Sequence, residues 1–438
     1  MSGARYSRSR DPEGSEAPLF FLIAICALGL GLHAAPALAE APPYVAAEAL
    51  PGGAATAAVS DPAAAFSRPV GNLPAAARKR FRDGADLFYR RWIAGPAPPP
   101  ALTGLGPRYN ALSCQQCHRN DGRGRPPLET GARVRSFVLK IEPPHPEYGG
   151  QLRDRAVAGR IADGQAGVSW SPVYHGLGGG HVAKLWRPEW TVVAGRHGPV
   201  PPGRLSGRIA PPAFGVGLVE AIPAAAVAEA ADPDDLDKDG ISGRLPPGRF
   251  GWRGEAATVA EQAARAFAED MGVTSRLAPG PDGAAEAPRE VFDALVFYMR
   301  NLGPPAPEGP PSPAVLRGRA VFHASGCAAC HRPQWRAGAA ADPWLAGQTI
   351  WPYSDFLLHD MGPGLADGAS PEWRTPPLWG LGRTRAVAGD AFYLHDGRAR
   401  SVLEAILWHG GEAAPARDAV KAASPAARAD LLAFLAWL

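Results

Sequence analysis

The motif Cys-x-x-Cys-His constrains this chain more than any other feature, because it occurs twice, at residues 114–118 and 327–331. Its two thiols lie one helical turn apart, which matches the two vinyl groups of a haem, and the adjacent histidine can bind the iron. We therefore predict two covalently attached c-type haems. The residues that hold them are Cys114, Cys117 and His118 for haem 1, and Cys327, Cys330 and His331 for haem 2.

Other uses of these cysteines fit the sequence less well. A shared zinc site would need the two clusters to converge, although more than 200 residues separate them. A thioredoxin-like dithiol would need a βαβ context, which the sequence lacks. The fifth cysteine, Cys26, follows Ile25, whereas a lipoprotein signal needs a small residue at that position.

The N-terminus is typical of an export signal. A basic lead precedes an apolar run at residues 19–32, and small residues follow up to Ala39. We predict a signal peptide at residues 1–39, cleaved after Ala39, and a periplasmic location. An uncleaved anchor is the alternative, but the run is short for a membrane span and no later segment is long enough to be one.

Composition narrows the classes of partner. A formal net charge of +3 is too small to indicate a nucleic acid or an anionic membrane surface. The 52 Gly and 48 Pro residues predict long irregular loops. The partners that remain are a small oxidant such as hydrogen peroxide and an unknown electron donor or protein redox partner.

The order of segments indicates a repeated unit of helix, haem motif, loops and closing helix. We predict a mainly α fold with two cytochrome c-like domains in tandem, at residues 75–305 and 312–438. Residues 40–74 are rich in Ala, Pro and Gly and are predicted to form a flexible leader. Residues 125–285 are predicted to be a large, loop-rich insertion in the first domain.

Four helices are predicted around the motifs, at residues 75–92, 288–302, 313–324 and 425–438. Their spacing of apolar residues defines the faces that should pack inward. The positions expected there are Phe81, Leu87, Phe88, Val291, Leu295, Tyr298, Leu302, Leu316, Val321, Phe322, Leu431, Leu432, Phe434 and Leu435.

The second axial ligand of each iron decides the chemistry. For haem 2, position before the closing helix favours His409, and His359, Met361 and His395 are the alternatives. For haem 1 no candidate is well placed. The four histidines of the insertion are expected on the surface, which leaves an open iron position such as a catalytic haem needs; they are His145, His175, His181 and His197.

An acidic segment at residues 232–244 has the spacing of a calcium loop. Asp235, Asp237, Asp239 and Gly240 occupy positions 1, 3, 5 and 6 of an EF-hand-like loop. Position 12 is Pro246, so the usual bidentate Glu is missing. A structural Ca²⁺ is predicted here, with a solvated acidic turn as the alternative.

Several longer strings resemble the di-haem oxidoreductase family, whose members are described as peroxidases and also as thiol oxidoreductases. The resemblance runs from about Leu87 to the C-terminus. It is carried by the strings NALSCQQCHRNDGRGRP at 110–126, YGGQL at 148–152, APPAFGVGLVEAIP at 210–223, DPDDLDKDGISGR at 232–244, LLHDMGPGLADG at 357–368 and LHDGRARSVLEAILWHGGE at 394–412.

More remotely, the chain is similar to bacterial di-haem cytochrome c peroxidases and MauG-like enzymes. The resemblance implies that Trp252 relays electrons between the haems and that Gln262 and Asp270 line the distal side of haem 1. The resemblance also supports His409 as the second ligand of haem 2. In the peroxidases this ligand follows the histidine of a His-x-Gly turn by fourteen residues, and His409 follows His395 by fourteen residues. The peroxidases have Glu where this chain has Asp270.

Three functions remain open. A peroxidase-like enzyme is the leading hypothesis, because a positioned carboxylate such as Asp270 can move a proton between peroxide oxygens while the amide of Gln262 holds the peroxide. An electron-transfer cytochrome with both irons six-coordinate is the rival. Thiol–disulfide chemistry is disfavoured, because thioether bonds would consume all four cysteines outside the signal.

Overall fold

The computed structural model describes residues 41–368 and 370–438, which belong to one compact unit. The signal peptide predicted at residues 1–39 lies outside the described residues. Among those described, no helix combines the length and apolar character needed to cross a bilayer.

The helices are short, and most surround the two Cys-x-x-Cys-His motifs. The α-helices are α1 Arg78–Tyr89, α2 Cys114–Cys117, α3 Val216–Glu220, α4 Ala224–Ala228, α5 Val259–Ala266, α6 Arg289–Arg300, α7 Pro313–Ala324, α8 Thr384–Ala388, α9 Val402–Leu407, α10 Ala414–Ala422 and α11 Pro425–Trp437. A π-turn, Phe267–Met271, extends α5. Single 3₁₀ turns are Ala46–Ala49, Gly53–Ala55, Pro62–Ser67, Ala75–Ala77, Arg119–Asp121, Pro202–Arg204, Cys327–Ala329, Pro343–Leu345, Leu381–Arg383 and Gly411–Ala413.

Two helix crossings repeat the same device. In α1, a Cβ on Gly84 would collide with the backbone of α6 at Ala294, so only glycine permits this approach. In α7, Gly318 stands in the same relation to α11 at Asp430. Each helix that precedes a haem motif therefore packs closely on the helix that closes its half. This supports the prediction of two tandem cytochrome c-like domains, which stays a prediction.

Most predicted core positions on these helices pack inward. Phe81, Phe88, Leu295, Tyr298, Leu302, Phe322, Leu431, Phe434 and Leu435 are buried. Leu316 is exposed, contrary to the prediction, because α7 turns Val315 and Phe322 towards the core instead. One apolar cluster lies around α1, α5 and α6, and a second lies around α7 and α11.

The chain is not mainly α, because 33% of it is helical and 19% is strand. The strands are β1 Trp92–Ile93, β2 Leu102–Thr103, β3 Arg108–Tyr109, β4 Phe137–His145, β5 Gly149–Leu152, β6 Arg155–Ala156, β7 Gln165–Leu177, β8 His181–Val193, β9 Leu205–Ile209, β10 Trp335–Arg336, β11 Thr349–Ile350, β12 Leu358–Asp360 and β13 Glu372–Arg374. The main pairings are an antiparallel sheet of order β5-β4-β9 and the hairpin β7-β8.

The insertion at residues 125–285 is loop-rich, as predicted, but it also contains the strands β4 to β9, which the prediction did not include. In β4, Phe137, Leu139 and Ile141 alternate inward with the period of two that a half-buried strand shows. The strands β7 and β8 pair from Gln165↔Val193 to Leu177↔His181, around a turn of three glycines at residues 178–180. The alternation in β4 and the glycine turn between β7 and β8 are visible in the sequence. The prediction instead gave more weight to the Gly and Pro content.

The segment predicted as a flexible leader is packed into the molecule. Ala55, Phe66 and Val70 are buried, and Val70 N donates to the Asn301 carbonyl at 2.9 Å. Glu48 forms a buried ion pair with Arg319 at 2.8 Å. Low sequence complexity did not mean disorder here, because these small residues fit between elements of both halves.

Candidate haem sites and the cavity beside His118

His118 lies at the end of α2, directly after the two cysteines of its motif. Its Nδ1 lies 2.7 Å from the Pro211 carbonyl, so the ring donates there and Nε2 keeps a free lone pair. Burial lowers the pKa of His118, which keeps the ring neutral. A neutral imidazole with a fixed tautomer is the form that binds a metal.

The second motif has the same arrangement and a facing imidazole. The Nδ1 of His331 lies 2.9 Å from the Tyr353 carbonyl, and burial lowers the pKa of His331 to about 4. The His409 ring lies 6.5 Å from the His331 ring, centre to centre. Two imidazoles bonded at about 2.0–2.1 Å to opposite faces of one metal would have ring centres about 6 Å apart. This separation is compatible with His409 as the second ligand, which stays a prediction.

The geometry disfavours two of the alternatives. His359 has both ring nitrogens occupied, at 2.8 Å from Asp355 and 2.7 Å from Glu412. The His395 ring stacks on Trp373 at 3.6 Å and does not face His331. Met361 packs against the second apolar cluster without such a pairing.

A cavity of about 270 Å³ lies beside His118 and collects the residues predicted to act on peroxide. Trp252, Gln262 and Asp270 all line it, together with Cys117. None of the four insertion histidines lines this cavity; His181 is exposed, and the other three are half-buried. Met299 is the only further thioether or imidazole in the lining, and sequence patterns had not singled it out.

The pKa values of two neighbouring carboxyl groups at the cavity are shifted in opposite directions. Burial raises the pKa of Asp270, which accepts a hydrogen bond from Gln151 at 2.8 Å. Burial acts on Glu269 too, but Lys140 at 2.5 Å outweighs it and lowers the pKa of Glu269. Environments that separate the pKa values of two acids are typical of acid–base sites. The prediction missed Glu269, Lys140 and Gln151 because the sheet strands that carry the last two come from the insertion.

The π-turn at Phe267–Met271 bears on how Asp270 reaches the cavity. In a continuous α-helix, residues 262 and 270 would lie on roughly the same face. The π-turn has more residues per turn than an α-helix, so it changes the angle between these two side chains around the helix axis. Gln262 and Asp270 both line the cavity. Such turns are frequent at functional sites.

One buried and two half-buried cations at the cavity have no carboxylate partner, which fits an anionic prosthetic group. Arg249 and Arg374 line the cavity, as does Arg123, and among the described residues none of the three forms an ion pair with a carboxylate. Burial lowers the pKa of Arg374 to about 10. Buried unpaired charges are costly, and the propionates of a haem would neutralise them.

The second site offers unpaired donors instead. The indole N–H groups of Trp351 and Trp408 are buried and have no acceptor among the residues at 41–368 and 370–438. Both side chains belong to the apolar cluster against which Cys327 packs. A haem carboxylate would supply the missing acceptors. The donor sets of both sites thus fit haem.

The four cysteines of the described chain are free thiols. Burial raises the pKa of Cys114 and of Cys327, each to about 12. Thiols of this kind form little thiolate and are poor redox nucleophiles, which argues against thiol–disulfide exchange. They remain suited to attachment of a prosthetic group.

Trp252 connects the cavity with the second half of the chain. It lines the cavity with His118, and it packs against the apolar cluster that includes Cys327. Its indole N–H donates to the Ile209 carbonyl at 3.0 Å. Trp252 thus contacts both the cavity and the second apolar cluster, and its relay role stays a prediction.

A buried carboxylate follows His118 closely, and the sequence prediction did not include it. Asp121 is fully buried and has a positive φ of 61°. Burial raises the pKa of Asp121 to about 6, although three hydroxyl groups that bond to it act in the opposite direction. No spacing pattern marks this residue, because its partners come from three distant segments.

The acidic loop gathers a slightly different set of ligands from the one predicted. Asp232, Asp235 and Asp237 bring carboxylate oxygens within 4.8 Å of one another, while Asp239 is outside this group. The Asp235 carboxylate accepts a hydrogen bond from Gly240 N at 3.1 Å. The loop also pairs with the second half, because Arg244 and Leu358 form an antiparallel bridge.

Comparison with known proteins gives three findings. The family described as "Di-haem oxidoreductase, putative peroxidase" matches residues 44–138 and 276–438, together more than half of the chain. No curated protein matches it. A solved chain of hydrazine synthase from Kuenenia stuttgartiensis is similar at 13% identity and a TM-score of 0.35, covering 81% of this chain and 92% of that chain. So low a TM-score carries no functional argument. Trp252, Gln262, Asp270 and the acidic loop all lie between the two matched ranges.

Proposed function

Because this chain belongs to the di-haem oxidoreductase family, we propose that it is an exported, peroxidase-like enzyme with two c-type haems. The His118 site reacts with hydrogen peroxide, and the His331 site passes electrons to it. The observation that carries the proposal is the asymmetry of the two sites. His331 faces a second imidazole, whereas His118 borders a cavity lined by two amides and three acids.

A bound haem supplies the iron that takes up peroxide and the electrons that reduce it. The chain's own residues position the oxidant and move its protons. The amide of Gln262 donates a hydrogen bond that holds peroxide in the cavity. The Asp270 carboxyl takes a proton from the peroxide oxygen nearer to the iron and returns it to the oxygen farther from it. Burial raises the pKa of Asp270, which brings it closer to the operating pH, as proton transfer in both directions requires.

The remaining cavity residues serve charge and electron supply. Burial raises the pKa of Asp270 and the charge of Glu269 adds to this rise, whereas Lys140 and the hydrogen bond from Gln151 act against it. Arg123 and Arg374 would hold the carboxylates of a bound haem. Trp252 carries electrons from the His331 side, and the electrons come from an external donor or protein partner.

The spin state of the oxidised holoprotein tests this proposal. We expect one low-spin and one high-spin ferric haem, and added peroxide should perturb only the high-spin bands. Two low-spin haems that ignore peroxide would instead support the electron-transfer cytochrome. In that case Met299→Leu would reveal whether this thioether occupies the sixth position of haem 1.

Substitution of the two acids tests the assignment of the proton carrier. Asp270→Asn should slow the reaction with peroxide by about 10²–10⁴-fold, the usual contribution of a general acid–base group. Glu269→Gln is the matched control and should have a much smaller effect, because Glu269 is paired with Lys140. Equal rates in Asp270→Asn and wild type would show that another group moves the proton.

We also propose that the acidic loop binds a structural Ca²⁺. The hydrogen bond from Gly240 N to Asp235 resembles the internal bond of calcium loops, and the loop is tied to β12. Calcium should raise the thermal midpoint of the holoprotein. Asp235→Asn should abolish that rise, whereas Asp234→Asn, outside the cluster, should keep it. An unchanged midpoint with calcium would refute the site.

A further inference from the structure

Three hydroxyl groups converge on one buried carboxylate close to His118. The Oδ2 of Asp121 accepts hydrogen bonds from Ser67 at 2.6 Å, from Tyr298 at 2.9 Å and from Tyr89 at 3.0 Å. No cation among the described residues is paired with Asp121, and its Oδ1 has no partner there. The carboxylate is thus free of a counter-charge and bonded mainly to phenols.

These phenols lie near the haem 1 side of the molecule. The Phe88 ring is 6.2 Å from the His118 ring and 5.3 Å from the Tyr298 ring, centre to centre. The two steps together keep Tyr298 within about 12 Å of His118. Electrons tunnel readily over such a distance through packed aromatic rings.

The pair of tyrosines spans the interior and the surface. Tyr298 is 1% exposed, whereas Tyr89 is 37% exposed. Burial, reinforced by the negative Asp121, raises the pKa of Tyr89 to about 12 and raises that of Tyr298 further. Neither phenol ionises by itself near neutral pH, so oxidation must be coupled to transfer of its proton to a base.

We propose that Tyr298 and Tyr89 form a proton-coupled path that carries electrons from an external one-electron reductant at the surface to the His118 haem, with Asp121 as the proton acceptor. This path rests on the proposed peroxidase function. It deepens that function by giving haem 1 a surface site for its reducing substrate, separate from Trp252.

The proposed path transfers one electron at a time. Tyr298 gives one electron towards the haem that is reducing hydrogen peroxide, and its phenolic proton moves to Oδ2 of Asp121. A neutral tyrosyl radical and a protonated carboxyl result. Tyr89 then gives an electron and its phenolic proton to Tyr298. The surface reductant gives one electron to Tyr89, and Asp121 returns the proton to it across their hydrogen bond of 3.0 Å. A second electron from the His331 side and two protons from solvent complete the reduction of hydrogen peroxide to two waters.

Tyr353 is a further tyrosine that is bonded to a carboxylate, but this carboxylate is already paired with a cation. Tyr353 donates to Glu48 at 2.7 Å and is also buried, but Glu48 accepts two further bonds from Arg319, at 2.8 and 2.9 Å. The guanidinium already neutralises this carboxylate, which makes it a poor proton acceptor. Tyr353→Phe is therefore a matched control for Tyr298→Phe.

The experiment is freeze-quench EPR of the holoprotein after mixing with hydrogen peroxide, with optical spectra recorded in parallel. We expect a tyrosyl radical in the wild type, identified by the change in its hyperfine pattern when the tyrosines are ring-deuterated. The signal should be lost in Tyr298→Phe and kept in Tyr353→Phe. Asp121→Asn should also lose it although both phenols remain, and Asn tolerates the positive φ at this position.

Each outcome decides something different. Optical reaction with peroxide but no tyrosyl signal, or a signal that Tyr298→Phe leaves unchanged, would overturn the path and leave the peroxidase proposal intact. Absence of any optical change with peroxide would refute the proposed function, and the path would fall with it. A signal lost in Tyr298→Phe but retained in Asp121→Asn would refute the role of Asp121.

Discussion

The variant His359→Gln tests whether His359 is a buried, charged histidine rather than the second ligand of the haem 2 iron. The His359 ring is 2% exposed and lies between the carboxylates of Asp355 and Glu412, at 2.8 and 2.7 Å. Burial alone would lower the pKa of His359, but the hydrogen bonds to Asp355, Cys330 and Glu412 outweigh it and raise the pKa to about 12. His359 is thus an imidazolium at neutral pH.

The expected loss of stability follows from the burial of this charge network. Removal of one partner of a buried ion pair typically costs about 3–5 kcal/mol, because the remaining charge stays buried without compensation. In His359→Gln the Asp355 carboxylate loses its charged partner but stays buried, because Asp355 is only 4% exposed. Water therefore cannot compensate its charge. We expect the free energy of unfolding of the holoprotein to fall by about 3–5 kcal/mol, measured by urea denaturation.

The pH dependence has a defined sign. The folded pKa of His359 is raised above its ordinary 6.5, so its stabilising contribution is complete below pH 6.5 and is lost as the pH rises towards 12. Hydrogen bonds to His359 and Ser242 outweigh burial and lower the pKa of Glu412 to about 2, so its contribution is complete above pH 4.5 and is lost as the pH falls towards 2. The difference between wild type and His359→Gln should therefore be largest between these limits, near pH 5 to 6.

The spectrum of haem 2 gives the second readout. Since His409 faces His331, the low-spin signal of haem 2 should persist in His359→Gln despite the lost stability. A variant that keeps its stability but loses that signal would refute both the charge assignment and the choice of ligand.

The remaining predictions concern the second ligand, the leader and a helix crossing. His409→Ala should convert the haem 2 signal from low-spin to high-spin with the haem still attached, and an unchanged spectrum would point to Met361. Glu48→Gln should lower the free energy of unfolding by about 3–5 kcal/mol, because it leaves Arg319 buried and unpaired, whereas the exposed Glu229→Gln should change it little; equal urea midpoints would contradict the packed leader. Gly318→Ala should cost about 1–3 kcal/mol by thermal or urea unfolding, because the added methyl meets α11, while Gly203→Ala has free space around it; equal effects would show that the crossing tolerates a side chain.

Local patterns in the chain were sufficient for several features. The adjacency of Cys117 and His118, and of Cys330 and His331, indicates haem because attachment and ligation use one helical turn. Apolar spacing predicts the helices at 313–324 and 425–438, and in the structure each begins with a Ser N-cap followed by Pro at the first position. The position of His409 before the closing helix was enough to favour it over three competitors.

Composition misled where small residues and strands were concerned. The Ala, Pro and Gly content predicts a flexible leader, but Phe66 in this segment is buried. The same content predicts a loop-rich insertion and gives no sign of its strands, such as β4 with its alternating buried residues. The reason is that composition reports average tendencies, whereas burial depends on which surface a segment meets.

What the sequence by itself determined is the short-range chemistry: two haem motifs, their helices and a family likeness. Only the tertiary structure decided which side chains from distant segments share one environment. It paired His359 with two carboxylates, brought Lys140 to Glu269 and set three hydroxyls on Asp121. Charge state and reactivity depend on such neighbours through burial and hydrogen bonding, and neighbours separated by tens or hundreds of residues leave no local pattern in the chain.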